Sequence, residues 1–201
     1  MPVYNAERYV AEAIESILAQ SFREFEFLIF DDGSTDRSLS IINNYAGQDD
    51  RVKVFAKPHY GYVPWLNEGA RIARGYFIAR MDADDVSLPE RFARQVEFLL
   101  RQPECVALGC DFLMIDPEGE PICRVACSAS HEAIETELLQ GGLNVICHPA
   151  SLIRKSVLVA IGGYSENYET LEDFDLWLRL AERGGLAASP GTAPSSALRP
   201  R

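Results

Sequence analysis

The sequence predicts an α/β protein with a mostly parallel central sheet, helices on both faces, and a small antiparallel element in its second half. Helical and strand patterns alternate along the first hundred residues, the order that produces parallel strands joined by crossover helices. Two acidic clusters, at residues 31–36 and 82–85, each follow a short apolar run that is typical of a buried strand. Carboxylates at the C-terminal ends of parallel strands point into the crevice where such proteins bind ligands.

Each element of the first half has its own signal. Val10, Ile14 and Ile17 recur at helical spacing, and Asn5 is placed to accept hydrogen bonds from the first backbone amides of that helix. Gly75 suits the C-terminal cap of a later helix, and Pro89 suits the first position of the helix after it. The predicted elements are helices over 5–20, from 34 or 35 to 46, over 63–75 and over 89–100, and strands over 25–30, 52–55 and 76–81.

The second half changes character. Apolar runs flank Asp-Pro-Glu-Gly at 116–119, which predicts a β-hairpin. Apolar residues at i, i+3, i+4 and i+7 from Phe174 predict a helix with Glu172 and Asp173 at its N-terminal end. Residues 185–201 lack periodicity and are rich in Pro, Gly and Ser, which predicts a disordered tail. The other predicted elements are strands over 106–115, 121–125 and 150–153, and helices over 131–139 and 156–161.

Composition narrows the functional class. A chain of 201 residues with 47% hydrophobic residues can form one core, so we expect a single domain over 1–184. The net charge of -11 argues against a nucleic-acid partner, which requires a surplus of Lys and Arg. The five cysteines have no zinc-site spacing and favour a reducing compartment. Without a signal peptide or an apolar span, we expect a soluble cytoplasmic protein, with contact at the cytoplasmic face of the membrane left open.

Three sets of carboxylates are candidates for chemistry. Asp82 and Asp84 are spaced i and i+2, so both can turn toward one Mg²⁺ or Mn²⁺, although an isolated motif of this kind is more often a solvated turn. Either Asp31 or Asp32 can accept hydrogen bonds from a nucleotide base or ribose, or both can serve the strand-to-helix turn alone. Asp173 can act as a general base or cap its helix. No Gly-x-Gly-x-x-Gly or Gly-Lys-Ser/Thr motif supports a Rossmann enzyme or a P-loop NTPase.

Four motifs follow one another along the chain: Pro-Val-Tyr-Asn at 2–5, Asp-Asp-Gly-Ser-Thr-Asp at 31–36, the stretch from Asn67 to the acids at 82–85, and Glu-Asp-Phe-Asp-Leu-Trp at 172–177. In this order they resemble the family 2 glycosyltransferases with the GT-A fold. The resemblance runs from residue 1 to about residue 184. It implies a GT-A-like fold with a nucleotide-binding half over 1–103 and an acceptor half over 104–184.

The resemblance also implies an inverting sugar transfer from a nucleotide-diphosphate donor, with a lean to UDP, Mg²⁺ or Mn²⁺ as cofactor, and a glycan or lipid-linked acceptor in cell-surface polysaccharide or glycolipid synthesis. It makes Asp84 the principal metal ligand, with Asp82 beside the ribose and diphosphate, and Asp173 the base that deprotonates the acceptor. Glu172 and His148 would lie on the acceptor side, although helix capping remains open for Glu172 and a structural role is favoured for His148. The implied nucleotide-binding residues are Pro2, Val3, Tyr4, Glu7, Asp32 and Asp82.

Two departures from the family keep alternatives open. Relatives have several apolar residues before Pro-Val-Tyr-Asn, which form a first strand, and they continue past the Glu-Asp helix with ordered chain; both features suggest a truncated product here. A nucleotide-sugar-binding protein with little or no turnover is therefore one alternative. A nucleotidyltransferase is the other, although residues 2–6 supply neither the Gly-rich loop nor the basic residue that this class uses.

Overall fold

The computed structural model describes residues 1–127, 130–142, 145–168, 170–189 and 195–199, along which seven α-helices and eleven strands are found. The helices are α1 (Val10–Leu18), α2 (Ser38–Ala46), α3 (Tyr62–Ile72), α4 (Arg91–Arg101), α5 (His131–Leu139), α6 (Lys155–Ala160) and α7 (Glu172–Ala181). The strands are β1 (Pro2–Val3), β2 (Phe27–Asp31), β3 (Val52–Ala56), β4 (Phe77–Ala79), β5 (Val86–Ser87), β6 (Cys105–Cys110), β7 (Phe112–Ile115), β8 (Pro121–Val125), β9 (Leu152–Arg154), β10 (Gly185–Ser189) and β11 (Ser196–Leu198).

The strands form three sheets. The first, in the order β1-β2-β3, is parallel throughout. The second, β10-β6-β9-β4, pairs β10 with β6 in parallel and β9 antiparallel to both β6 and β4. The third, β5-β11-β7-β8, contains the antiparallel β7–β8 pair around the turn at 116–119. The predicted α/β class, with a parallel sheet and an antiparallel element in the second half, is confirmed.

Two apolar clusters hold the layers together. On α1, Val10, Ile14 and Ile17 are buried at helical spacing and pack with side chains of β2 and β3. The second cluster joins α3, α5, α6 and α7 to the second sheet, and Trp177 is fully buried in it. Each such side chain contributes about 1.5–3 kcal/mol relative to an exposed one. The longest described helices have 11 residues, and no helix within the described ranges has both the length and the hydropathy of a membrane span.

The predicted cap of the first helix is wrong, because Asn5 serves another purpose. The helix begins at Val10 rather than near residue 5, and no side chain caps it. Asn5 has a left-handed φ of 48°, and its Oδ1 accepts a hydrogen bond of 2.8 Å from the backbone amide of Thr35. Short polar side chains tolerate this backbone region better than others do. Asn5 therefore ties the segment after β1 to the acidic turn after β2.

The prediction of a disordered tail over 185–201 is wrong for β10 and β11. Strand β10 pairs along its whole length with β6, and β11 lies between β5 and β7. Gly184 allows the first approach, because a β-carbon there would lie 2.5 Å from Cγ1 of Val106. The small side chains of this segment give no periodic signal, and strand pairing with distant residues supplies the order.

An apolar cavity of about 780 Å³ separates the first two sheets. Its walls include Phe27 and Leu28 of β2 on one side and Phe77 and Ile78 of β4 on the other. At the edge of its own sheet, β4 is paired only with β9 among the described strands. The first two sheets are therefore separate, whereas the sequence predicts a mostly parallel central sheet.

Candidate active site

The first acidic turn is held by the Asp32 carboxylate, whose acceptor positions are all occupied by hydrogen-bond donors of the protein. Asp32 follows β2 and is only 3% exposed. Its Oδ1 accepts hydrogen bonds of 2.7 Å from both the Tyr60 amide and Nε1 of Trp65, and its Oδ2 lies 3.0 Å from the Gly61 amide and 2.8 Å from Nδ1 of His59. Four donors fill the acceptor capacity of a carboxylate. Asp32 therefore fixes the segment around residues 59–65 against the strand end.

Gly33 allows the chain to turn immediately after Asp32. Its φ is 75°, in the left-handed region, and a β-carbon there would lie 2.7 Å from the backbone nitrogen of His59. Both the conformation and the close approach require glycine. In the same region the ring of Tyr4, which is half exposed, lies over the His59 ring with their centroids 4.3 Å apart. The turn thus brings an aromatic pair to the surface beside the Asp32 carboxylate.

The second acidic cluster follows β4. Asp82, Asp84 and Asp85 each offer one carboxylate oxygen to a common region, where these oxygens lie within 4.8 Å of one another. Asp85 is buried, and that burial, followed by the charges of Asp82 and Asp84, raises its pKa to about 8. Crowded carboxylate oxygens are the ligands that Mg²⁺ and Mn²⁺ prefer. The donor set fits a divalent cation and adds Asp85 to the two ligands that the sequence predicts.

Buried arginines support the strand that delivers this loop. Arg80, which is 3% exposed, forms an ion pair with Asp82. Arg91 of α4 is fully buried and donates to the backbone carbonyls of Arg80, at 2.7 Å, and Ser151, at 3.2 Å. Buried charges of this kind are tolerated only with close partners. They hold the end of β4 in one position relative to α4 and β9.

A pocket of about 340 Å³ lies between the start of the chain and the acidic loop. It is lined by residues 2–6, Tyr9, Asp32, Tyr62 and residues 82–84. The predicted site residues brought together in this lining are Pro2, Val3, Tyr4, Asp32, Asp82 and Asp84. Glu7 is outside the lining, and its Oε2 accepts hydrogen bonds from the backbone amide and Nε of Arg37, at 2.9 and 3.2 Å.

The predicted base lies on a different element from the pocket. Asp173 occupies the first turn of α7, where its Oδ1 accepts a 2.7 Å hydrogen bond from the Phe174 amide. Burial, followed by the charge of Glu172 among the raising effects, lifts the pKa of Asp173 above its ordinary value. Oε2 of Glu172 is buried and accepts no hydrogen bond from the described residues. The charge of Arg80 acts on Asp173 as well as on Asp82, so this arginine connects the two acidic regions electrostatically.

His148 has the environment of a packed core residue. Its Nε2 lies 3.0 Å from the Tyr164 hydroxyl, and its ring contacts the Trp177 ring edge to face at 5.9 Å. The side chain is buried and does not line the pocket. These are the contacts of a side chain that packs in the core.

Several residues of the site have no role in the sequence analysis. The sequence analysis names no function for His59 or Arg80, and it includes Asp85 only as one of the acids at 82–85. A charged residue inside an otherwise apolar strand that ends in acids was the available signal for Arg80. The contact between His59 and Asp32 spans 27 residues and has no local signal.

The fold is the one found in the GT-A glycosyltransferases. TarS of S. aureus, solved as residues 1–349 with UDP, superposes with a TM-score of 0.74 at 22% identity, over 99% of this chain and 59% of that one. The mannosyltransferase PcManGT of Pyrobaculum calidifontis, solved with GDP-Man and Mn²⁺, gives a TM-score of 0.73 at 16% identity, over 98% of this chain and 55% of that one. At these identities the likeness establishes the fold.

The sequence comparison identifies the family. The profile of Glycosyl transferase family 2 matches residues 1–162. EpsE of Bacillus subtilis is 37% identical over 188 residues, which cover 92% of this chain and 66% of EpsE. The O-antigen biosynthesis glycosyltransferase WbnJ of Escherichia coli is 32% identical over 182 residues, covering 90% of this chain and 69% of WbnJ. The chain belongs to glycosyl transferase family 2, and it spans about two thirds or less of the length of most of these proteins.

Proposed function

We propose that this chain transfers a sugar from a nucleotide-diphosphate donor to an acceptor hydroxyl, with inversion at the anomeric carbon. The observation that carries the proposal is that Asp82 and Asp84, which cluster with Asp85, line one pocket together with residues 2–6. Such a pocket offers a nucleoside surface and a cation site side by side. Family 2 membership and the UDP- and GDP-Man-bound relatives of the same fold support the same conclusion.

Each part of the pocket has a role in this proposal. Pro2, Val3 and Tyr4 form the wall against the nucleoside, and Asp82 lies toward the ribose and diphosphate. Asp84, with Asp82 and Asp85, would hold Mg²⁺ or Mn²⁺, which offsets the negative charge of a diphosphate leaving group. Because the Asp32 carboxylate already has four donors, a nucleotide can contact it only by replacing one of them. His59 is the partner placed to leave, since its side chain is 57% exposed.

The proposed transfer needs one general base, which takes the acceptor's proton, and one leaving group, which takes the electron pair of the broken bond. Asp173 takes the proton of the acceptor hydroxyl, whose oxygen forms a bond to the anomeric carbon. The bond between that carbon and the diphosphate oxygen breaks on the opposite face, and the electron pair leaves with the nucleoside diphosphate. Burial of Asp173 supports this role, because a raised pKa makes the carboxylate a better proton acceptor. Glu172 would support the acceptor, and Glu7 stays outside the nucleotide contact.

The likeness to WbnJ supports a glycan or lipid-linked acceptor in cell-surface polysaccharide synthesis. The nucleotide is proposed as UDP, with GDP as the competitor that the two nucleotide-bound structures suggest.

Calorimetry of UDP and GDP binding, with Mn²⁺ and then with EDTA, tests the donor site. We expect binding of one nucleotide that requires the metal. A folded chain that binds neither nucleotide in Mn²⁺ would contradict the proposal. Asp173→Asn then separates binding from chemistry: this variant should bind the nucleotide as the original chain does and lose sugar transfer, whereas normal transfer would remove Asp173 from the mechanism.

A further inference from the structure

Strand β11 lies beside the strand that follows the acidic loop. β11 pairs antiparallel with β5, which begins at the residue after Asp85, and in parallel with β7. The residue before β11 extends this pairing, because the Leu88 amide donates to the carbonyl of Ser195 at 3.0 Å, and the Ser195 amide donates to the carbonyl of Asp111 at 2.9 Å. The residues after the acidic loop are thereby fixed to a segment more than a hundred positions away.

Arg199 follows β11 and contacts the acidic loop directly. Its backbone amide donates to Oδ1 of Asp85 at 3.2 Å, and its Nη1 donates to the main-chain carbonyl of Asp84. Its Nη2 donates to Oε2 of Glu12 at 2.7 Å, which anchors the guanidinium to α1. The side chain is only 6% exposed. Arg199 therefore bridges the acidic loop and helix α1.

The same guanidinium supports the pocket wall. It lies 4.3 Å from the ring centroid of Tyr9, and Tyr9 lines the pocket. A cation over an aromatic face in a partly desolvated position adds to the hydrogen bonds in holding that ring. Arg199 thus contacts both the acidic loop and Tyr9 of the pocket wall. Its bonds to the loop run from Nη1 to the Asp84 carbonyl and from its backbone amide to Asp85.

We propose that Arg199 is a positioning residue for the cation and diphosphate site, and that β11 presents it. The loop holds three carboxyl groups with oxygens within 4.8 Å of one another, and a fixed backbone favours this crowded arrangement before a cation binds. The Arg199 guanidinium holds the Asp84 carbonyl and places a positive charge next to the loop, so that the carboxylates stay arranged to bind the cation. The donor site would then be built from residues 2–6, the loop at 82–85 and Arg199. This inference rests on the proposed function.

The test compares Arg199→Ala with Arg8→Ala. Arg8 is a matched control, because its guanidinium also lies over Tyr9, at 4.9 Å, but bonds to Pro117 and Glu118 and not to the acidic loop. We would measure nucleotide affinity by calorimetry across a series of Mn²⁺ concentrations, and thermal unfolding in parallel. Arg199→Ala should weaken nucleotide binding about tenfold at limiting Mn²⁺, with recovery at high Mn²⁺. Arg8→Ala should leave the Mn²⁺ requirement unchanged.

Arg199→Lys decides the question if Arg199→Ala does not fold. It keeps the positive charge but cannot bridge the Asp84 carbonyl and Glu12 with a planar fork. A positioning role predicts an intermediate Mn²⁺ requirement for this variant. An unchanged requirement in the folded variants would overturn the inference, and so would tighter binding, which would mean that Arg199 competes with the cation. If the original chain binds neither nucleotide in Mn²⁺, the proposed function fails and this inference fails with it.

Discussion

Asp32 and the loop at 82–85 present the same side chain at the same kind of place, after the end of a strand, and differ in what surrounds it. Four donors within hydrogen-bond distance face Asp32. In the loop, three carboxylates gather within 4.8 Å, and burial holds one of them at a pKa of about 8. A saturated carboxylate stabilises the structure around it. A crowded set destabilises its own loop until a cation arrives, so the two regions divide structural and binding roles between them.

The largest effect that would test this contrast comes from Asp84→Asn. Losing one ligand and one charge should reduce Mn²⁺-dependent nucleotide affinity by at least about 100-fold, or roughly 3 kcal/mol. In EDTA the same variant should unfold at a higher temperature than the original chain, because repulsion within the loop is relieved. Calorimetry measures the loss of nucleotide affinity, and thermal unfolding in EDTA measures the change in stability. A lower unfolding temperature in EDTA would show that the crowded set is stabilising.

Asp32→Asn should have the opposite effect on stability. An amide cannot accept from all four donors, and each buried donor left unpaired costs about 1–3 kcal/mol. A total loss of about 2–3 kcal/mol corresponds to a fall of roughly 5–10 °C in a chain of this size. Thermal unfolding measures it. An unchanged unfolding temperature would contradict the structural role of Asp32, and Asp31→Asn is the control at the neighbouring position.

Asp173 offers an intermediate case, since its carboxylate is partly buried and accepts a hydrogen bond from its neighbour's amide. The base must be ionised to accept a proton. Because its pKa is raised, protonation begins at a higher pH than for an ordinary aspartate, and the transfer rate should fall about tenfold for each pH unit below that pKa. A profile of kcat/KM against pH, at saturating Mn²⁺, tests this. A midpoint at or below the ordinary aspartate value of about 4 would contradict it.

Glu7→Gln should change the unfolding temperature least of these variants. The Glu7–Arg37 pair is exposed, with side-chain exposures of 39% and 80%, and exposed ion pairs contribute little. Nucleotide affinity should also stay unchanged, since Glu7 does not line the pocket. A marked loss of affinity would return Glu7 to the nucleotide site that the family resemblance implies.

The sequence predicted correctly those elements that are formed by contacts between neighbouring residues. Helix α5 has the predicted bounds, because Ser130 accepts a hydrogen bond from the Ala133 amide at its start and the apolar residues follow helical spacing. Helix α7 likewise begins at the predicted acids. The β7–β8 hairpin forms around a turn whose residues bond to one another, with the Gly119 amide donating to the Asp116 carbonyl.

The failures share one physical cause, which is dependence on distant partners. Asn5 has the composition of a helix cap, but its hydrogen bond to Thr35 determines its conformation. Strands β10 and β11 take their order from β6, β5 and β7, and no pattern within 185–201 reports those partners. At the site, the family resemblance implies that Asp32, Asp82 and Asp84 lie around one donor site, and these three residues line the same pocket. It could not predict the donors around Asp32, nor Arg199 behind the loop.

The apolar cavity between the first two sheets has a thermodynamic consequence. Tyr76 and Leu100 contribute to its lining and are 90% and 67% exposed, so the cavity opens to water and its apolar walls are partly hydrated in the folded chain. Unfolding then exposes less new apolar surface than it does in a fully packed protein. The heat capacity change of unfolding, normally about 12–15 cal/mol/K per residue, should be smaller here. Its stability curve should accordingly be flatter, with thermal and cold unfolding spread farther apart for a given maximum.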